Sequence, residues 1–279
     1  MKYEHDIKLL CKVLKVNRST YYKHFYSKPS KRTLTNIDIK TKILEIYSES
    51  DMRLGANKIR IILESEYGIR ISLGRIYRLM KSMCLPKMST IKPKYKNLLI
   101  SNENCQNNLN GQFNPDNPNM VWVSDITYIK VVSKFYYLCV IIDLFSRKVI
   151  AYKISSRMTD DLTIETLELA YGKRNYPKSV LFHSDRGSQY ISKNFRKKIE
   201  QFGFIQSFSK KGYPYDNACA ESFFKYFKKE ESNRRNYQSL TELQLATFKY
   251  IDNFYNNKRP HSHNNGLSPN KKEFDYNLT

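Results

Sequence analysis

The sequence predicts an α/β protein, in which a mixed sheet flanked by helices follows an all-helical region with a helix-turn-helix arrangement. From Met120 onward, three consecutive strand-like runs precede alternating helix and strand patterns, which is typical of a mixed sheet. Before residue 85, apolar residues recur at helical spacing. A polar stretch between the two cannot bury much apolar surface and indicates a linker. We therefore expect a helical region at 1–98, a linker at 99–118 and a second domain at 119–279 that ends in a helix.

The helical region divides into a short N-terminal piece at 1–30 and three further helices. The first of these is expected at 38–48, the second after Gly55, and the third after a cap at Ser72. A helix, a turn and a basic helix form a motif whose second helix can enter a DNA major groove. Its exposed side would carry Arg75, Arg78 and Lys81. A plain three-helix bundle with a solvated basic face fits the same pattern.

The second domain is expected to contain five strands and at least four helices. The strands are predicted at 120–132, 135–144, 148–154, 179–183 and 204–208. The helices are predicted at 160–171, 192–202, 217–230 and 240–255.

The charge balance indicates a polyanionic partner. The chain carries 48 Lys and Arg against 26 Asp and Glu, a formal net charge of +22. Residues 1–98 hold 22 of these basic residues and only 8 of the acidic ones. Phosphate contacts supply most non-specific affinity for nucleic acid, so DNA or RNA is the leading candidate.

The five cysteines form no CxxC pair, which favours reduced thiols in a cytoplasmic protein. No apolar N-terminal leader is present, and no apolar run is long enough to span a membrane. We expect no membrane partner.

Three acidic residues stand where a metal site could form: Asp125, Asp185 and Glu221. Asp125 lies in a strand whose alternation directs it away from the layer that Trp122 faces. Asp185 follows a buried strand, and Glu221 opens a helix 36 positions later, with 35 residues between them. Two strand carboxylates and one helix carboxylate can hold a pair of divalent cations against a phosphodiester. Taken singly, an Asp after a strand is more often a turn residue, and a Glu at a helix start more often interacts with the helix dipole.

Five ordered runs resemble the catalytic domain of bacterial insertion-sequence transposases, which are related to retroviral integrases. They are Trp122–Tyr128, Val140–Arg147, His183–Tyr190, Ser209–Ala218 with Glu221–Phe224, and Tyr255–His261 with Ser268–Pro269. Two N-terminal segments, Cys11–Tyr22 and Leu54–Met83, resemble the helix-turn-helix segments of the second-frame protein of the IS3 group. The zinc-binding domain of retroviral integrases has no counterpart in the His and Cys spacing.

The resemblance implies an RNase H-like fold and a DDE transposase that cleaves at the element's ends and joins them to other DNA. Asp125, Asp185 and Glu221 fall on the family's catalytic triad. Asp125 would bridge two Mg²⁺ ions, with Asp185 on one and Glu221 on the other, and Mn²⁺ would substitute. Lys225 and Lys228 match the spacing of DNA-contacting lysines in the integrases.

The implied partners are double-stranded DNA, as terminal inverted repeats and as target, and further copies of the chain in a homo-oligomer. An upstream-frame protein, or a fusion with it, is a further possible partner. The implied location is the bacterial cytoplasm, in association with the nucleoid. Two other functions stay open: a DNA-binding protein without catalysis, and an RNase H-like nuclease that cuts without joining.

Several secondary residues are expected near the site. Lys210 and Lys211 precede Glu221 on a Gly/Pro loop, where we expect contact with an unpaired DNA end. Asp143 is expected to accept hydrogen bonds at a strand end. His183 is expected to be a hydrogen-bonded structural histidine. His261 is expected to contact DNA or to be solvated.

Overall fold

A computed structural model of the chain describes residues 6–26, 28–85, 105–209 and 217–278. The helices are α1 (Ile7–Val13), α2 (Arg18–Tyr26), α3 (Lys31–Glu49), α4 (Ala56–Tyr67), α5 (Leu73–Ser82), α6 (Asp160–Lys173), α7 (Ser188–Ile191), α8 (Lys193–Gln201), α9 (Ala218–Glu230), α10 (Leu240–Phe248) and α11 (Pro269–Leu278). The strands are β1 (Val121–Val131), β2 (Lys134–Asp143), β3 (Lys148–Ser155), β4 (Leu181–Ser184) and β5 (Ile205–Phe208).

The five strands form one mixed sheet in the order β3-β2-β1-β4-β5. β1, β2 and β3 pair antiparallel as a meander, while β4 and β5 run parallel to β1. The long β1 pairs with β2 along its whole length but with β4 only from Val121 to Ser124. The fold class predicted from the sequence, a mixed sheet flanked by helices after a helical region, is confirmed.

The two faces of the sheet belong to two apolar clusters, as the alternation along β1 requires. Trp122 is fully buried in a cluster that includes Leu167 of α6 and Phe195 of α8. Val123, on the opposite face, is buried in a cluster that includes Phe223 of α9. Asp125 shares the parity of Val123, so it leaves the sheet on the side that α9 covers.

The helix-turn-helix arrangement consists of α4, a turn and α5. Gly68 ends α4 in the left-handed region, at φ 65°, where a side chain would be strained. Ser72 caps α5, and its side chain accepts a hydrogen bond from the Arg75 backbone N–H, as the sequence predicts.

The helical region packs directly on the sheet domain. The buried residues of α3, α4 and α5 form one continuous cluster with those of β1, α9 and α10. Arg53, between α3 and α4, is 5% exposed and pairs with Glu231, which is 1% exposed and follows α9, at 2.6 Å. The Lys58 ammonium donates to the carbonyl of Pro260. The described part of the expected linker is also packed, since Leu109 is buried and its N–H donates to the Ser207 hydroxyl.

Two predicted elements differ from the structure. The helix predicted at 192–202 is preceded by a separate turn, α7. The helix predicted at 240–255 changes to a π-helix over Lys249–Tyr255. The wider turn places Asn256 beside β3, where its amide exchanges two hydrogen bonds with the backbone of Val149. The domain ends in helix α11, for which the sequence pattern gave no bounds.

Among the described residues, no helix has the length and apolar character needed to cross a bilayer. All five cysteines are free thiols, in agreement with their spacing in the sequence.

Candidate active site

The pairing of β1 with β4 places Asp125 beside Asp185. Ser124 pairs with Ser184 at the end of the parallel ladder, and each aspartate is the next residue of its strand. Neighbouring strands lie about 4.8 Å apart, so the two aspartates start from adjacent backbone positions. Asp185 lies just past the carboxyl end of β4, where open α/β sheets commonly form their sites, and Asp125 lies inside β1 at the point where its pairing with β4 ends.

Helix α9 brings Glu221 to the same end of the sheet. The Asn217 side chain, at the N-cap of α9, donates to the carbonyl of Ser124 at 3.5 Å. Glu221 lies in the first turn of the helix that begins there. The structure therefore brings together all three acidic residues that the sequence singled out.

The electrostatics of Asp125 reflect this gathering of carboxylates. The pKa of Asp125 is raised to about 8, mainly by burial and then by the charges of Asp185 and Glu221. The Ile126 backbone N–H and the nearby Lys228 ammonium act in the opposite direction. Desolvation also raises the pKa of Asp185, although its outer edge is open to solvent. The site thus concentrates negative charge that a divalent cation would neutralise.

The donor chemistry of the site fits a hard cation such as Mg²⁺, which prefers carboxylate oxygens. Two of the carboxylates are held by backbone hydrogen bonds: Asp125 accepts from the N–H of Ile126 at 2.8 Å, and Asp185 from that of Gly187 at 2.9 Å. In these side-chain positions no group of three acidic, His or Cys residues among the described parts of the chain already has the spacing of a metal site. Binding of an ion would therefore require these carboxylates to move closer to each other.

Gly187 allows the chain to turn closely around Asp185. A Cβ atom at this position would lie 3.0 Å from the Asp185 carboxylate and 3.0 Å from the Gln189 amide oxygen. Any side chain would therefore disturb the carboxylate that the Gly187 N–H now holds.

The two predicted lysines of α9, Lys225 and Lys228, differ in burial and in their contact with the carboxylates. Lys228 is half-buried, lies 5.0 Å from the Tyr128 ring centre, and interacts electrostatically with Asp125. Lys225, one turn closer to Glu221, is exposed. Lys210 and Lys211 lie outside the described residues.

The basic residues of α5 point in two directions. The Arg75 guanidinium donates twice to the Asn36 side chain of α3, at 3.2 and 2.8 Å. Arg78 is exposed and shares a cleft with Arg75 and α3. Lys81 lines a separate cleft between α5 and Tyr226 of α9. The three residues therefore do not form a single patch.

The secondary residues are structural. Asp143 is fully buried and accepts hydrogen bonds from the N–H groups of Asn119 and Phe145, and its pKa is raised by burial to about 6. His183 is fully buried between the hydroxyls of Ser207 and Ser209. Both expectations are confirmed.

The expectation that His261 is solvated or contacts DNA was wrong. Its ring is buried edge-on against Tyr255, and burial together with neighbouring cations lowers its pKa well below the usual range. The chain turns back just after this residue, since the His261 N–H donates to the carbonyl of Leu267 and the Gly266 N–H donates to the carbonyl of His261.

Sequence reasoning missed the anchor at the far end of α9. Glu230 accepts two hydrogen bonds from Arg259, both at 2.9 Å, and a third from the Tyr250 hydroxyl at 2.7 Å. The next residue, Glu231, pairs with Arg53. The only signal was two adjacent acidic residues at the end of an aromatic-rich helix, and their partners are distant in sequence.

The comparisons with known proteins agree with this architecture. Two integrase core domain models match residues 115–214 and 203–269, and an HTH-like domain model matches residues 35–95. The transposase for insertion sequence element IS904 of Lactococcus lactis is 37% identical over 90% of this chain and 98% of its own length. Transposase InsF for insertion sequence IS3A of Escherichia coli is 32% identical over 97% of this chain and 94% of its own length. A simian T-cell lymphotropic virus intasome chain is similar with TM-score 0.46 and 17% identity, over 82% of this chain and 73% of that chain.

The fold and the matched domains define a DDE transposase/integrase, a polynucleotidyl transferase with an integrase core domain. Within that class, the chain belongs to the IS3 family of insertion-sequence transposases. Integrase core domains typically bind a divalent metal ion, and the combination of this core with an HTH-like domain indicates DNA binding.

Proposed function

We propose that this transposase cleaves DNA at the ends of its own insertion sequence and joins the released 3′-hydroxyl to a second DNA site, with Asp125, Asp185 and Glu221 as the catalytic triad. The observation that carries the proposal is the convergence of these three carboxylates, from two adjacent parallel strands and the first turn of α9. Burial, and after it the charges of Asp185 and Glu221, raise the pKa of Asp125, and a divalent cation bound there would offset the cost of ionising this carboxyl group.

Asp125 couples electrostatically to both other carboxylates, so it would hold the proposed pair of Mg²⁺ ions together with them. Asp185 would hold one ion and Glu221 the other, and Mn²⁺ would substitute. When bound, the pair supplies activation of the attacking oxygen and stabilisation of the leaving oxygen in an in-line displacement.

The chain's own residues would orient the DNA around this centre. The backbone hydrogen bond from Gly187 limits the positions open to Asp185. Lys228 places a half-buried positive charge beside Asp125, where it can contact the oxygens of the scissile phosphate. Lys225 and the predicted loop residues Lys210 and Lys211 would contact flanking phosphates.

We assign recognition of the terminal inverted repeats to the helix-turn-helix, with the exposed Arg78 as one of its base-contacting residues. Arg75 would contribute partly by its hydrogen bonds to Asn36, which fix α5 against α3. Lys81 would contact DNA from the cleft beside α9. Two DNA ends must be held together for joining, so we propose a homo-oligomer. The protein of an upstream frame, as a separate chain or a fusion, would add further contacts with the ends.

A DNA-binding protein without catalysis is the competing function. It gives no reason for three carboxylates to meet at a strand edge, where their repulsion lowers stability. A nuclease that cuts without joining gives no role to a sequence-reading helical region docked on the catalytic helix through Arg53 and Glu231.

The experiment is a cleavage assay on a labelled oligonucleotide duplex that carries one terminal inverted repeat with its flank. Wild-type protein with Mg²⁺ or Mn²⁺ should nick at the repeat boundary, and Asp185→Asn should bind the same duplex without nicking it. Glu165→Gln is the matched control, because this acidic residue is exposed on α6 and pairs only with Lys153 in the described structure. Nicking by Asp185→Asn at the wild-type rate would contradict the proposed site.

A further inference from the structure

A groove of about 700 Å³ lies beside the catalytic carboxylates, at the open edge of β1. β4 pairs with β1 no further than Ser124, and the next backbone partner on that edge is Tyr237, which bridges to Val131. Between these two points the described residues provide no neighbouring strand. The groove follows this gap from Tyr128 toward the tip of the β1–β2 hairpin, and Lys228, which interacts electrostatically with Asp125, also lines it.

Two aromatic rings are exposed in the groove. Tyr128 is 61% exposed and Phe135 is 50% exposed, and they lie diagonally across β1 and β2 with ring centres 5.5 Å apart. Large aromatic side chains are usually buried, so an exposed pair indicates a contact surface. The Lys228 ammonium lies 5.0 Å from the Tyr128 ring centre and so links this pair to the catalytic centre.

The remaining lining is basic and polar. Lys130, Asn233, Arg235 and Asn236 line the groove with exposed side chains, and Arg235 also pairs with Glu231 at 2.9 Å. Below the groove, Tyr237 is 1% exposed, and its hydroxyl has no hydrogen-bond partner among the described residues. Such a buried hydroxyl would be stabilised by an acceptor from a bound ligand.

Exposed aromatic rings interleaved with cations bind unpaired nucleotides, whose bases stack while their phosphates contact the basic groups. The volume corresponds to a drug-sized ligand, that is, to one or two nucleotides rather than a duplex. Lys228 lines the groove and also interacts with Asp125, so a DNA strand bound at the three carboxylates could continue into the groove.

We propose that this groove holds one or two unpaired nucleotides of the substrate DNA next to the scissile phosphate, with a base stacked on Tyr128 and Phe135. Lys130 and Arg235 contact the adjoining phosphates. The inference rests on the proposed function for the choice of DNA, but the groove's affinity for unpaired bases is independent of cleavage.

The test measures binding, without added metal so that the DNA stays uncut, by fluorescence anisotropy. One probe is a terminal-repeat duplex with a short unpaired strand at the cleavage boundary, and the other is the same duplex fully paired. Tyr128→Ala should weaken binding of the unpaired probe by about 5- to 150-fold, the equivalent of one lost base–aromatic stack, and leave the paired probe unchanged. Tyr128→Phe should bind both probes like wild type.

Two further measurements separate stacking from loss of fold or charge. 2-Aminopurine in the unpaired strand should be quenched by wild-type protein and by Tyr176→Ala, an exposed aromatic elsewhere on the surface, but not by Tyr128→Ala. Lys130→Ala should reduce the salt dependence of unpaired-probe binding by about 0.7 in log–log slope. Equal losses on both probes, or unchanged quenching with Tyr128→Ala, would overturn the inference.

The outcomes distinguish this inference from the proposed function. If wild type joins DNA ends and Tyr128→Ala binds both probes normally, the groove assignment fails and the transposase mechanism stands. If Tyr128-dependent quenching occurs and no metal-dependent cleavage is found, the groove assignment stands and the proposed catalysis fails.

Discussion

Arg259→Ala should strongly destabilise the protein, because it leaves a buried carboxylate without its partner. Arg259 is 3% exposed and donates two hydrogen bonds of 2.9 Å to Glu230, at the end of the helix that carries Glu221. After the substitution Glu230 keeps only the Tyr250 hydroxyl. Removal of one partner of a buried ion pair costs about 3–5 kcal/mol. At about 2–4 °C per kcal/mol for a chain of this size, the melting temperature should fall by roughly 6–20 °C.

The assay is urea unfolding followed by far-UV circular dichroism, with thermal melting as a second measurement. Arg259→Lys should cost less than Arg259→Ala, because one charged hydrogen bond can form again without the fork geometry. The double variant Arg259→Met with Glu230→Gln should be more stable than Arg259→Ala, since no unpaired charge stays buried.

The matched control is Lys153→Ala, which breaks an exposed ion pair with Glu165 and should change the free energy of unfolding by less than about 1 kcal/mol. If Arg259→Ala also changes the free energy of unfolding by less than about 1 kcal/mol, the idea that the Arg259–Glu230 pair anchors the helix carrying Glu221 is refuted.

Three further predictions concern stability, metal and DNA. Burial tends to raise the pKa of Glu273, but the charges and hydrogen bonds of Arg174 and Lys148 lower it below its usual value. Glu273→Gln should therefore lower the free energy of unfolding by roughly 1.5–3 kcal/mol near neutral pH. In urea unfolding at a series of pH values, this difference from wild type should shrink as the pH falls below about 4.5. Mg²⁺ or Mn²⁺ at about 100 times its dissociation constant should stabilise wild type by about 2.7 kcal/mol in thermal melts, and Asp125→Asn should lose this shift. Arg78→Ala should narrow the difference in affinity between the terminal repeat and an unrelated duplex, measured by competition at fixed salt.

The order of the strands and the three acidic residues that meet at one end of the sheet could be predicted from the sequence because their signals are local. The alternation around Asp125 placed it on the face opposite Trp122, and the Ser72 cap marked the start of α5. Both signals depend on the backbone geometry of a few neighbouring residues, so they can be recognised without knowledge of the fold.

The anchors and the groove could not be predicted because they depend on partners far apart in sequence. Arg53 and Glu231 are separated by 178 positions. In the sequence Tyr128 has the pattern of an ordinary strand residue. Its exposure depends on the short β4, which pairs with β1 only as far as Ser124. His261 follows a segment with polar neighbours, and only the packing of Tyr255 explains why its ring is buried.

The most direct test of the account is strand transfer with oligonucleotides that carry the element's own ends, with Mg²⁺, comparing wild type with Glu221→Gln. The account predicts joined products for wild type and none for the variant, while both proteins bind the ends equally. Joined products from Glu221→Gln at the wild-type rate would contradict the role of this carboxylate and with it the central claim.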